Sequence, residues 1–233
     1  PGPTELRLPG GVRLSTELRT KVHLRQDGKT WSLAADAAPP VGWKRQGVSG
    51  PLDDVMFVPH LFVVGTQDPS QTDVNRRLIE DDRRYLRHVD HEIAFPVRDD
   101  ASLSDAELAE KSLVVYGNPA SNSVLKRALA TGKIPLKFEE HALVLGKHRF
   151  EGDDVGVQMI FPSPWNPAHY LVIVAGVTRH GTLLSRHLPR FRPDVVVYDE
   201  RVSAQYGGRL LDRRPVRFGG FFGPDWSVPK DLH

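Results

Sequence analysis

The chain has 233 residues, with 31 Lys+Arg against 29 Asp+Glu and a formal net charge of +2. At 39% hydrophobic and 26% charged residues, its composition is that of a globular protein and not of a disordered one. No apolar run approaches the roughly 18 residues of a membrane span, the near-balanced charge offers no concentrated basic stripe for nucleic acid, and the absence of cysteine excludes disulfides, thiolate metal sites and a cysteine nucleophile. Neither a membrane nor a nucleic acid is therefore an expected partner, while oligomerisation stays open. The chain begins at Pro1 in place of Met, the start expected of a piece cut from a longer polypeptide.

Residues 1–50 read as a β-rich, sandwich-like segment. Leu6 and Leu8, Val12 and Leu14, and Val22 and Leu24 alternate with the period-two pattern of half-buried strands. Asp27-Gly28 between VHLRQ and KTWSL suits a tight hairpin turn. So few large apolar residues make a marginal core, so this segment is expected to pack on a neighbour. Residues 39–51 (PPVGWKRQGVSGP) form a turn-rich connector.

Residues 51–200 read differently. Short, continuously apolar runs at 61–65 (LFVVG), 92–97 (EIAFPV), 112–117 (SLVVYG), 156–161 (GVQMIF), 170–176 (YLVIVAG) and 194–198 (DVVVY) alternate with helical patterns. Val74, Leu78, Ile79 and Tyr85 share one helical face; Ser104 with Glu107 is a capping-box match; Ser121 or Asn122 can cap the helix that Gly132 closes; and a further helix is expected around 182–188. Residues 136–150 look like a β excursion turning near Gly146-Lys147. The expected fold is α/β: an open, mostly parallel sheet of Rossmann or flavodoxin type. Residues 201–233, rich in Gly, Pro and aromatics, are expected as a tail packed on the surface, with FGGFFGPDW either anchoring it or forming a partner-binding patch.

In a parallel sheet, the loops at the carboxyl edge are where ligands usually bind. Here they are Gly65-Thr66-Gln67, Gly117-Asn118 through Ser121-Asn122, and Gly176-Val177-Thr178. The functional reading is a cradle for an anionic or nucleotide-like group at helix N-termini; the plain reading is that Gly and Asn make tight turns and caps. The dinucleotide and P-loop glycine motifs are absent, and Asp68-Pro69 after Gln67 disfavours a flavin phosphate, so no cofactor is expected. There is no GxSxG elbow and hence no expected catalytic residue. His88 and His91 with Asp90 and Glu92 form HVDHE, read as a solvated helix end before a metal site. His180 and His187 read as cap or surface residues. Glu151-Gly152-Asp153-Asp154 lacks calcium-loop spacing and reads as a polar turn. Arg76-Arg77 and Arg83-Arg84 alternate with Glu80, Asp81 and Asp82, an ion-paired helix face.

Four strings carry a family resemblance: Lys44 to Met56 (KRQGVSGPLDDVM), 116–125 (YGNPASNSVL), 160–167 (IFPSPWNP) and 170–176 (YLVIVAG). They resemble the C-terminal region of multidomain secreted bacterial esterases or peptidases of the prolyl oligopeptidase-like α/β-hydrolase group, over residues 1–200 and most firmly 44–198. The resemblance implies that the catalytic Ser-Asp-His set lies in an upstream domain, followed by a β-sandwich piece and a Rossmann-like domain without catalytic residues. It implies a secreted or periplasmic location, and as partner the catalytic hydrolase domain or another fragment of the same precursor. Two further readings stay open: a small-molecule binder or enzyme using the carboxyl-edge loops, and a fragment that works only with its partner piece.

Overall fold

The computed structural model describes residues 4–8, 11–16, 23–27, 30–34, 40–90, 95–189, 192–203, 205–206, 209–210 and 216–229, with the backbone alone at some strand ends and at 85–90. The chain divides into two compact units, Pro1–Val41 and Gly42–His233. In the first, β1 (Thr4–Arg7) pairs antiparallel with β2 (Arg13–Thr16), matching Leu6 with Leu14. Then β3 (His23–Asp27) pairs antiparallel with β4 (Thr30–Ala34). The register closes on Asp27 opposite Thr30, the hairpin expected around Asp27-Gly28, although residues 28–29 themselves lie outside the described residues.

The second unit is mixed α/β. Its elements are β5 (His60–Val64), α1 (Pro69–Asp90), β6 (Val97–Asp99), α2 (Asp105–Glu110), β7 (Ser112–Tyr116) and α3 (Ser123–Ala130). Next come β8 (Leu136–Glu139), β9 (Ala142–Leu145) and β10 (His148–Glu151), the expected β excursion, which pair as a separate antiparallel sheet. Then follow β11 (Gly156–Pro162), β12 (Tyr170–Gly176), α4 (Arg179–Leu184), β13 (Val195–Tyr198), the short pair β14 (Gln205–Tyr206) and β15 (Arg209–Leu210), and β16 (Val216–Gly220).

Seven strands form one sheet in the order β16-β13-β11-β12-β7-β5-β6. From β12 to β6 every neighbour is parallel. The other half corrects the expectation of a mostly parallel sheet: β11 is antiparallel to both β12 and β13, and β16 is antiparallel to β13. The reason is connection length. Only residues 163–169 separate β11 from β12, whereas a parallel return needs a crossover of about a dozen residues or more. Residues 92–97 are also corrected in part: the edge strand begins at Val97, where the expected one ended, and 91–94 lie outside the described residues.

The helices form where local chemistry directs. Pro69 opens α1, where its missing N–H costs nothing, and Asp68 accepts from the Ser70 N–H at 2.9 Å. Val74, Leu78 and Ile79 bury the inner face, and outside it Arg76 pairs with Asp99 and Arg83 with Glu80. Ser104 and Glu107 form a complete capping box at α2. Asn122, not Ser121, caps α3 by accepting from the Leu125 N–H at 3.0 Å. His88, His91, Asp90 and Glu92 have side chains outside the described residues.

Part of the expected surface tail belongs to the core. β16 extends the sheet, and Phe222 and Trp226 are buried against Phe161, with ring centroids 5.5 and 5.6 Å away. Lys44 lies 4.9 Å over the Trp226 ring. It also pairs with Asp194 and donates to the Phe222 carbonyl at 3.0 Å, and the Phe222 N–H donates to Asp194 at 2.9 Å. Gly50 (φ +74°) passes so close that a Cβ there would lie 2.0 Å from Asp194 Oδ1. Tyr170 donates to Asp54 and accepts from the Ser49 N–H at 2.7 Å. The string 44–56 is thus a clasp joining the connector, the sheet and the C-terminal aromatics. Trp226→Ala should lower unfolding stability by about 3–5 kcal/mol, the range for deleting a buried aromatic, measured as a drop in urea midpoint; a loss under about 1 kcal/mol would place the tail outside the core.

Candidate functional site

The strands β5, β7 and β12 end side by side, so their loops meet at the carboxyl edge as expected. Gly65, Thr66, Gln67, Gly117, Asn118, Ser121, Asn122 and Gly176 all lie there. The loops interlock. Gly65 N–H donates to the Tyr116 carbonyl (3.0 Å), Gln67 N–H to the Ser121 carbonyl (2.9 Å) and Gly117 N–H to the Val174 carbonyl (3.0 Å). Asn75, buried on α1, donates to the Gly65 carbonyl at 2.9 Å. Asn118 donates to the Val177 carbonyl (3.1 Å) and accepts from the Ala120 and Ser121 N–H groups. Asn122 donates to the Tyr116 carbonyl at 3.0 Å. Gly176 N–H donates to Thr182 Oγ1 at 2.9 Å. At Gly117 (φ +106°) a Cβ would come within 2.4 Å of Ser121 Oγ, so glycine there serves loop-to-loop packing.

At the centre sits a residue that the sequence reading did not single out, Asp100. It is 3% exposed. Its Oδ1 accepts from the Thr66 N–H (2.9 Å) and hydroxyl (2.6 Å). Its Oδ2 accepts from Gln67 Nε2 (3.1 Å) and the Ser123 N–H (2.6 Å), the first residue of α3. Donors that the functional reading would offer to an outside anion are thus met by a carboxylate of the chain itself. Burial alone would raise this carboxyl's pKa, but the donors on Thr66 and Ser123 outweigh it and hold the group below the usual carboxylate range. No local signal marked it: the strand expected from the sequence ended at 97, and only the pairing of β6 with β5 brings Asp100 to this edge.

The hydroxyls at this edge are bound internally. Ser121 donates to the Asn118 carbonyl (3.2 Å) and Thr182 to the Thr178 carbonyl (3.1 Å). Thr178 donates to the Asp153 carbonyl (2.7 Å). Asp153 in turn pairs with exposed His141 at 2.6 Å, which raises the His141 pKa. Asp154 accepts from the Glu200 N–H at 3.0 Å, so residues 151–154 act as a turn bonded to its neighbours. Among the described residues no group of three or more His, Cys, Asp or Glu side chains is placed to hold a metal. No helix among them is long and apolar enough to cross a membrane.

Two cavities lie away from these loops. One, about 160 Å³, is lined by Leu78, Asp81, Asp82, Gln158, Arg186 and Arg192. Its charges meet partners: Tyr116 donates to Asp82 (2.5 Å), Arg192 reaches Asp53 (2.9 Å) and Gln158, and Arg186 lies 3.7 Å from Asp81. The other, about 390 Å³ and largely apolar, opens at the opposite, amino edge of the sheet beside His60.

Asp100→Ala strands the part-buried N–H donors of Thr66 and Ser123 and should destabilise the fold by about 2 kcal/mol. The pH dependence has a defined sign. Because the folded-state pKa of Asp100 is depressed, its contribution is present above the unfolded carboxyl pKa of about 3.9 and disappears as pH falls through the folded value. The stability gap between wild type and Asp100→Asn, from urea melts, should therefore be full at pH 6 and shrink with acidification below about pH 4; a gap that widens there would contradict the geometry. No protein-family model matches this chain, and no curated protein is matched by it.

Proposed function

We propose that this chain is a non-catalytic accessory region of a secreted α/β-hydrolase, an esterase or peptidase, and docks or assists a catalytic domain of the same precursor. The observation that carries the reading is Asp100. A Rossmann- or flavodoxin-like sheet offers ligands the donors of its carboxyl-edge loops, and here four of those donors meet a buried carboxylate of the chain itself. The Ser121, Thr178 and Thr182 hydroxyls are bonded to backbone carbonyls and that of Thr66 to Asp100, which supports a structural role for this edge. The four parallel neighbours β12, β7, β5 and β6 support the Rossmann-like description, and the clasp formed by 44–56 supports the resemblance, because that string has a definite structural task. The alternative of an anionic or nucleotide-like ligand at the carboxyl edge is disfavoured by charge: such a group would meet the Asp100 carboxylate.

The test uses the parent precursor together with this chain. A fluorophosphonate serine probe should label an upstream portion of the precursor and leave this chain unlabelled. Native mass spectrometry of this chain mixed with that upstream portion should give a 1:1 complex. Labelling of a serine within residues 1–233, or no complex at micromolar concentrations, would overturn the reading.

A further inference from the structure

We draw no further inference here: the strongest candidate, the polar cavity of about 160 Å³ lined by Leu78, Asp81, Asp82, Gln158, Arg186 and Arg192, carries nothing, because its charged side chains already meet partners within the chain and its wall adjoins residues 190–191, which lie outside the described residues, so no open group is shown facing it.

Discussion

The second unit is organised around one buried carboxylate. Asp100 joins the β5–α1 loop, through Thr66 and Gln67, to the first N–H of α3. Those N–H groups have no partners within their own elements, as at the start of any helix, and burying them unpaired would cost free energy. An ionised acceptor with both oxygens engaged satisfies them at once, and charge-assisted hydrogen bonds are the stronger kind. The same arrangement consumes the feature that makes the carboxyl edge a binding site in α/β proteins. Structural completion and external anion binding compete for the same donors here, and the chain's own carboxylate holds them.

A second polar cluster closes the other side of the sheet. The Lys44–Asp194 pair is largely buried and surrounded by Trp226, Phe222 and Gly50. Burial pushes the Asp194 carboxyl up and Lys44 opposes it. Such pairs are weak sources of net stability because desolvation offsets attraction, but removing one partner leaves an uncompensated charge. The clasp therefore fixes where the connector and the C-terminal aromatics sit. Tyr170 does the same for Ser49, Gly50 and Asp54. Its hydroxyl is pushed up to about 12 by burial and by the Asp54 contact, so it stays a proton donor to that carboxylate.

The two edges of the sheet thus differ in kind. At the carboxyl edge, hydroxyls, amides and a carboxylate bond to one another and to the backbone. At the amino edge, Phe57 is left in solvent beside a largely apolar cleft.

Period and capping are local properties, and they were legible in the residues. The apolar runs at 61–65, 112–117, 156–161, 170–176 and 194–198 are strands, Ser104 and Glu107 close a capping box, and the three carboxyl-edge loops converge. These follow from side-chain pattern and backbone preference over a few residues. Strand direction at β11 was also contained in the seven-residue spacing to β12, which is too short for a crossover, although its apolar pattern resembles that of the parallel strands. The filling of the anion cradle was not legible. Asp100 lies 34 residues from Thr66 and 23 from Ser123, and only the packing of β6 beside β5 brings it to those donors. The clasp spans 150 residues from Lys44 to Asp194, and a lone lysine in a turn-rich connector carries no sign of its partner. Local sequence set which elements form, because helix and strand preferences act over one or two turns; tertiary structure decided which polar groups remain available, because satisfying a buried donor depends on residues that the fold alone makes neighbours.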